Sequence, residues 1–318
     1  MDGFFAVATQ VAVLFALIGV GAAARRLRLF GDAAAEGMVN LLMFVVTPCV
    51  IVDCFQRPFD RTMLGSLGLA FVFASLGHVA LIALSARCFR RCAGNTRRTL
   101  RLAAVFSNAG FMGLPLEQAI LGPRGVFFGA VYVVVFNLLI WSWGVMAMKE
   151  EGSGEEGKGT ERWKMALNPG TVGIALGLPL FLLSARLPPV LATPVRHLAN
   201  LNTPLAMLVI GYSLSGAHLG AVAKTGGVYV AAALRLVASP LLIVAAMLPF
   251  RRHLDSDMML AMVIAASAPV AAMVSIFAAK FRRDVDVGVA VVSGTTLLSV
   301  LTMPPVIAFA MALLSRPA

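Results

Sequence analysis

The sequence predicts an all-α polytopic membrane protein with ten transmembrane helices, organised as two inverted five-helix repeats in which helices four and nine are broken. Three observations predict this: the composition, the number of apolar runs, and prolines that recur in corresponding runs of the two halves. Hydrophobic residues make up 59% of the 318 residues and charged residues 13%, and the mean hydropathy is +0.89. This composition excludes a soluble domain, and the length allows about ten spans of roughly 20 residues each.

The predicted spans are apolar runs separated by charged or turn-forming residues, and we number them one to ten. They lie at residues 4–24, 37–55, 64–86, 102–121, 124–148, 168–184, 196–217, 225–250, 258–280 and 286–313. The first run is followed, not preceded, by basic residues, which stand at Arg25, Arg26 and Arg28. We therefore interpret it as a span and not as a cleaved signal.

The distribution of basic residues predicts the orientation in the cell (inner) membrane. Loops after odd-numbered spans hold 17 Lys and Arg residues, loops after even-numbered spans and the C-terminus hold 8, and Arg235 inside span eight completes the total of 26. The first set is expected in the cytoplasm, so both termini lie outside it. This use of charge explains the net charge of +11 without a nucleic-acid partner. The six arginines between Arg87 and Arg101 offer a second interpretation, contact with anionic membrane lipid.

One segment has the composition of a linker. Lys149–Lys164 is rich in glycine and charge, so residues 149–167 are predicted to form a cytoplasmic connection without a core. The linker separates a first five-helix repeat at 1–148 from a second at 168–318. An odd number of spans in each half requires the two halves to be inverted relative to each other.

Prolines recur across the linker. Thr47-Pro48 in span two is followed 156 residues later by Thr203-Pro204 in span seven, and Pro115 in span four is followed 154 residues later by Pro269 in span nine. Interrupted helices in matching positions of two inverted halves are typical of secondary carriers, in which they meet near the bilayer midplane.

Span four contains the strongest interruption, the stretch Ser107–Leu116 with the sequence S-N-A-G-F-M-G-L-P-L. Gly110, Gly113 and Pro115 disfavour a regular helix, which we expect to open near Pro115. Backbone groups freed in this way are tolerated in a membrane only inside protein or beside a wet cavity, which favours a binding site. The alternative is a kinked helix with a packing role, because Gly and Pro are common in membrane helices.

Polar residues near the two interruptions are the candidate site. Asn108 offers two donors and an acceptor just before the first break, and Ser267 precedes Pro269 in the second. Half-helix N-termini carry partial positive charge, so they can hold a carboxylate without a basic side chain. The predicted substrate-binding residues are Asn108, Gly110, Gly113, Pro115, Asn137, Ser267, Pro269 and Arg235.

Four of the candidates have explicit structural alternatives. Arg235 inside span eight is either a substrate counter-charge or a partner of backbone carbonyls. His78 and Glu117 are candidates for ion coupling; the alternatives are a packed neutral histidine and a glutamate that faces the outer vestibule. Asn137 either binds substrate or joins two helices by a hydrogen bond.

No cofactor or metal is expected. The cysteines form two local pairs, Cys49 with Cys54 and Cys88 with Cys92, and no histidine or carboxylate stands beside them at ligand spacing. An intramembrane hydrolase is disfavoured because the sequence has neither a G-x-S-G motif beside a span-buried histidine nor paired intramembrane aspartates. A receptor or structural protein would not need matched broken helices.

A series of motifs resembles the auxin efflux carrier family, which includes the plant PIN-FORMED exporters and many bacterial transporters. These motifs are Asn108–Leu116, Asn137–Gly144, Asn168–Gly177, Pro204–Leu214 and Ser293–Pro304. Asn108 falls on the family's asparagine in the crossover motif, and Asn137 falls where the plant exporters have a polar residue.

The resemblance implies that helices four and nine are crossed as well as broken, that one domain moves against another like an elevator, and that the protein is a homodimer. The short linker is similar to that of bacterial members, several of which are thought to move malonate or other small carboxylates. A small organic anion is therefore the expected substrate. A sodium-coupled symporter of larger amphipathic acids, like the bile acid:sodium symporters, is the alternative.

Overall fold

A computed structural model describes residues 2–149, 169–216 and 226–314. Every regular element in these ranges is a helix, and the described part of the chain contains no β-strand beyond an isolated bridge between Ser107 and Val270. The predicted linker after Lys149 lies outside the described residues.

The described helices are labelled in chain order, and helices that continue through a π-helical turn carry one label. They are α1 (Asp2–Arg26), α2 (Asp32–Phe55), α3 (Arg61–Cys88), α4 (Gly94–Val105), α5 (Ala109–Met148), α6 (Pro169–Leu182), α7 (Pro189–Asn200), α8 (Asn202–Ser215), α9 (Gly226–Phe250), α10 (Ser256–Ser267), α11 (Met273–Lys280) and α12 (Val285–Leu314).

Six of the helices in the described ranges, α1, α2, α3, α5, α9 and α12, are long and apolar enough to cross a membrane. Helices α6 and α10 are apolar but shorter. The chain is therefore a polytopic helical membrane protein, while the number of ten spans and the inversion of the halves stay predictions. Local sequence sets several helix starts: Asp60 accepts a hydrogen bond from the Thr62 amide at α3, and Asp255 accepts one from the Met258 amide at α10.

Helix α5 reverses direction at Gly122, which has φ 64° and ψ −157°, a backbone conformation that favours glycine. Pro123 follows and starts the second arm, where its missing N–H costs little. The arms, residues 109–121 and 123–148, pack against each other, since Glu117 of the first contacts Gly129 of the second. The reversal falls where the sequence separates spans four and five.

The two broken regions lie in the most buried part of the described chain. Residues 99–109 are buried except for Arg101, and residues 261–270 are all buried. These segments contact α3, α5, α9 and α12, so the interruptions sit inside a shell of other helices. They are therefore held in protein and not exposed to lipid, as irregular backbone in a membrane requires.

Helices α1 and α8 pack with their backbones in close contact through two glycines. A Cβ atom at Gly211 would lie 1.9 Å from the Ile18 carbonyl oxygen, and one at Gly21 would lie 2.2 Å from that of Leu208. Small residues of this kind let membrane helices approach closely. The α1–α8 pair is therefore intolerant of any side chain at these positions.

Gly211→Ala is expected to destabilise the protein by roughly 1–3 kcal/mol, because the added methyl group meets a backbone atom that cannot move alone. Thermal melting of detergent-purified protein measures this effect. Gly19→Ala is the matched control in α1, since a Cβ there has no heavy atom within 4 Å. Equal melting temperatures for the two variants would contradict the expectation.

Candidate functional site

The two helix breaks lie side by side. Helix α4 ends at Val105 and α5 begins at Ala109, while α10 ends at Ser267 and α11 begins at Met273. The intervening segments run antiparallel and exchange two backbone hydrogen bonds. The backbone N–H of Asn108 donates to the Pro269 carbonyl at 2.7 Å, and the backbone N–H of Ala271 donates to the Phe106 carbonyl at 3.0 Å. Each break therefore provides hydrogen-bond partners for backbone groups that the other break leaves without a helical partner.

The first break is not where the sequence suggested. The helix opens at residues 106–108, whereas Pro115 lies in the first turn of the α-helical segment that starts at Leu114. Because α5 already begins at Ala109, Pro115 lies in its second turn, just after the π-helical turn Ala109–Gly113. Local π-helical adjustment is one way in which membrane helices accommodate a proline. Pro269, in contrast, lies within the second break. Pro115 and Pro269 thus occupy different places relative to the breaks, so their 154-residue offset does not relate equivalent positions.

Asn108 stands at the start of α5 beside open space. Its carbonyl oxygen accepts hydrogen bonds from the amides of Met112, at 2.9 Å, and Gly113, at 3.2 Å. Its side chain is 9% exposed and has no hydrogen-bond partner among the described residues. A Cβ at Gly110 would have no heavy atom within 4 Å, whereas one at Gly113 would lie 3.5 Å from the Ala265 Cα. Gly110 therefore faces the open side and Gly113 the packed side.

The first turn of α5 can bind an anion. The backbone N–H groups at the start of a helix have no intrahelical partner and carry partial positive charge. In α5 these are the N–H groups of Ala109, Gly110 and Phe111, which lie next to the unpartnered side-chain amide of Asn108. A carboxylate could accept hydrogen bonds from both kinds of donor.

Arg235 lies in a π-helical turn of α9 and is fully buried. Its Nη1 donates to the Val105 carbonyl at 2.7 Å, and its Nη2 donates to the Ala266 carbonyl at 2.6 Å and to the Ser239 hydroxyl. Val105 ends α4, and Ala266 lies in the last turn of α10. The guanidinium therefore joins the negative C-terminal ends of both interrupted helices.

Ser267 and Asn137 make hydrogen bonds within their own helices. The Ser267 hydroxyl donates to the Ile264 carbonyl at 2.9 Å and is fully buried. The Asn137 amide nitrogen donates to the Val133 carbonyl at 2.8 Å and is half-buried. The structure thus places Ser267 out of reach of solvent, and the binding roles of both residues stay predictions.

His78 in α3 is packed and almost fully buried. Its Nδ1 lies 2.8 Å from the Ala74 carbonyl oxygen, which can only accept, so Nδ1 carries a proton. The ring packs against Tyr132 at a centroid distance of 4.9 Å and against Phe106 at 6.1 Å. The Nε2 atom has no hydrogen-bond partner in the described part of the chain.

Glu117 does not face an outer vestibule, which corrects one sequence-based alternative. The residue is fully buried, and neither carboxyl oxygen has a hydrogen-bond partner among the described residues. It is held between the arms of α5: a Cβ at Gly129 would lie 1.6 Å from Oε2, and one at Gly113 would lie 3.9 Å from Oε1. The reversal at Gly122 creates this position by folding the second arm back over the first.

Sequence reasoning missed two residues that support the breaks. The Thr295 hydroxyl in α12 accepts from the Val270 amide at 3.1 Å and donates to the Val291 carbonyl at 2.7 Å. The Ser239 hydroxyl donates to the Ala266 carbonyl at 3.1 Å, beside Arg235. A signal existed for Ser239, which follows Arg235 by one helical turn. Thr295 lies in the S-G-T-T motif of the last span, but no local pattern connects it to span nine.

Metal or cofactor ligands are not gathered at this site. No group of three or more His, Cys, Asp or Glu side chains in the described ranges could hold a metal ion. Cys49, Cys54, Cys88 and Cys92 are unbridged. The site can form hydrogen bonds through backbone N–H groups and the Asn108 side chain, and the buried carboxyl group of Glu117 lies nearby in α5.

Comparisons with known proteins agree in the class of protein they indicate. A family model described as membrane transport protein matches residues 6–307. An uncharacterized transporter from Methanothermobacter thermautotrophicus is 25% identical over 293 residues, which cover 91% of this chain and 93% of that relative.

Proposed function

The chain belongs to the membrane transport protein family, the auxin efflux carriers, and from this premise we propose that it is a secondary carrier of small organic anions. Transport follows from the family and from the several membrane-crossing helices. The substrate class is our proposal, with malonate as the first compound to test. We expect the protein in the inner membrane as a homodimer with both termini outside the cytoplasm.

One observation carries the proposal: at the start of α5 the Asn108 side-chain amide has no hydrogen-bond partner among the described residues and lies beside the first-turn N–H groups, and open space begins at Gly110, next to the meeting point of two broken helices. Such a site prefers a small anion, because it offers several donors and partial positive charge but no full counter-charge. Both terminal nitrogens of the Arg235 guanidinium already donate, to two carbonyl groups and to Ser239, and only the buried Nε has no partner among the described residues. We therefore assign Arg235 to the support of the site and not to the substrate.

We propose that alternating access moves the paired breaks as a unit. Hydrogen bonds from Arg235 and Thr295 tie α4, α9, α10 and α12 together around the breaks. The pairs α1–α8 and α2–α6 make extensive contacts of their own. An elevator-like motion of the first group against the second would carry the site across the bilayer while the hydrogen bonds between the breaks persist.

Glu117 is our candidate for coupling. A buried carboxylate without a hydrogen bond or counter-charge is strongly disfavoured, so this side chain is neutral in the described conformation. A change in the packing of the two α5 arms would admit water and let the group lose its proton. His78 is the weaker candidate, because its ring is packed and one nitrogen is bonded to its own helix.

A screen of purified protein against mono- and dicarboxylates tests the function. We expect malonate or a related small carboxylate to raise the melting temperature, and liposomes that contain the protein to take it up or exchange it. Stabilisation only by large amphipathic acids in the presence of sodium would indicate the symporter alternative. No carboxylate-dependent stabilisation or flux would contradict the proposal.

Asn108→Ala is expected to weaken the binding of the stabilising carboxylate by about 10- to 100-fold, as expected when a hydrogen bond to a charged group is lost. The backbone amides remain, so residual binding should persist. Titration of the thermal shift measures the affinity. Asn40→Ala is the control, because Asn40 is an exposed amide on α2. Unchanged affinity in a folded Asn108→Ala protein would return Asn108 to a structural role.

A further inference from the structure

A basic cavity lies at the end of α4 that is predicted to face the cytoplasm, away from the helix breaks. It has a volume of about 370 Å³ and opens between α4 and the end of α5. We call it the arginine cavity, and its lining residues are Arg97, Arg98, Arg101, Trp143, Met146, Ala147 and Lys149. Its size is within the usual range for sites that hold a small molecule or a headgroup.

One of the three arginines is already engaged. Arg98 Nη1 donates to the carbonyl groups of Ala147, at 3.0 Å, and Lys149. These carbonyls belong to the C-terminal end of α5, where a cation is favourable. Arg98 thus joins α4 to the C-terminal end of α5 on one side of the arginine cavity.

The other two arginines have no ion-pair partner among the described residues. Arg101 lies 5.5 Å from the centre of the Trp143 ring, and its buried Nε has no hydrogen-bond partner among the described residues. Arg97 stands one turn earlier on the same face of α4. No carboxylate in the described ranges forms an ion pair with any of the three arginines. Burial, with the positive charges of Arg97 and Arg98, lowers the pKa of Arg101.

The arginine cavity has clustered guanidinium groups, and the buried Nε of Arg101 has no acceptor among the described residues. Such a cavity suits an anion that accepts two hydrogen bonds from one guanidinium group. Guanidinium groups bind phosphate oxygens in pairs and are preferred over lysine for this purpose. We propose that the arginine cavity binds a phosphate group, supplied by the headgroup of an anionic lipid. This site is separate from the carboxylate site, and the proposal does not depend on the proposed function.

The surroundings favour a lipid as the source of the phosphate. Met146 on the wall of the arginine cavity is 67% exposed, so an apolar surface for an acyl chain continues from the basic floor. Trp143 is a residue type typical of the membrane–water interface. Arg101 lies immediately before predicted span four, which places the phosphate at headgroup level. Anionic headgroups are known to occupy basic pockets between helices on this side of a membrane.

Binding here would bear on the first broken helix. Arg101 lies one helical turn before Val105, whose carbonyl Arg235 holds. A lipid phosphate that draws Arg101 and Arg97 toward Trp143 would therefore fix α4 against the second arm of α5. We expect lipid binding to stabilise this pair of helices also in the absence of substrate.

Delipidated, detergent-purified protein tests the proposal by native mass spectrometry and thermal melting. The probes are phosphatidylglycerol, phosphatidylcholine as the zwitterionic lipid, and inorganic phosphate. We expect phosphatidylglycerol to bind and to raise the melting temperature, and phosphatidylcholine to do neither. The same stabilisation by inorganic phosphate alone would keep the phosphate site but assign it a soluble source. If neither phosphatidylglycerol nor inorganic phosphate binds better than phosphatidylcholine, the proposal is overturned.

A double variant, Arg97→Gln with Arg101→Gln, locates the effect and is expected to weaken phosphatidylglycerol binding by at least about tenfold. Arg98 is left in place because it holds the end of α5. The matched control is Arg26→Gln with Arg28→Gln, which removes the same charge from exposed residues on the same predicted side. Arg97→Gln alone serves if the double variant does not fold, with a smaller loss expected. Equal losses in the cavity and control variants would show a nonspecific charge effect and overturn the site.

Discussion

Arg235→Met is expected to lower the free energy of unfolding by about 2–6 kcal/mol, because two charge-assisted hydrogen bonds are lost: the buried Val105 carbonyl loses its side-chain donor, and the Ala266 carbonyl keeps only the Ser239 hydroxyl. The variant also removes the positive charge that faces the C-terminal ends of α4 and α10. Methionine is apolar and similar in length to the aliphatic part of arginine, so the loss of stability mainly measures the missing hydrogen bonds and charge and not the creation of a cavity. Thermal melting of the purified protein, or its yield in detergent, measures the effect.

Companion variants separate the structural role of Arg235 from a role in binding substrate. Arg235→Lys keeps the charge but cannot donate along two directions in one plane, so an intermediate loss is expected. Arg26→Met is the control for loss of an exposed arginine. Normal stability of Arg235→Met with abolished carboxylate binding would show that Arg235 is a substrate counter-charge after all.

Glu117→Gln is expected to abolish coupling to the proton gradient. If one proton moves with each substrate anion and the membrane potential is held at zero, wild-type liposomes should accumulate substrate about tenfold per unit of pH gradient, since about 1.4 kcal/mol corresponds to a factor of ten. The glutamine variant should reach a ratio near one, because an amide cannot release a proton. Exchange of labelled for unlabelled malonate should persist, since the neutral acid and the amide have similar shapes.

Accumulation of labelled malonate at a series of pH gradients is the measurement. Glu36→Gln, an exposed acidic residue on α2, is the matched control. Gly129→Ala adds an independent probe, because its methyl group would overlap the Glu117 carboxyl and force it to move. Exchange in the wild-type protein without any effect of the pH gradient would remove the coupling proposal and leave the carrier proposal intact.

Local sequence patterns were sufficient for the class of the fold and for the approximate place of the first helix break. Apolar runs depend only on neighbouring residues, so they predicted a polytopic membrane protein. The predicted boundary between spans four and five, at residues 122 and 123, coincides with the reversal at Gly122, whose backbone preference is local. The interruption in span four was recognised from its glycines and proline, although its position was placed at Pro115 when the helix opens at residues 106–108.

The sequence by itself determined the membrane class and the family, and it singled out Asn108–Leu116 as the candidate site because helix-weakening residues there stand beside an asparagine. Only the tertiary structure decided what the polar residues in the interior do. Arg235 bonds to carbonyls 130 and 31 positions away in the chain, and Glu117 is enclosed by a glycine of the second α5 arm. The physical reason is that the partners of a buried polar group come from other helices, and their distance along the chain leaves no periodic signal.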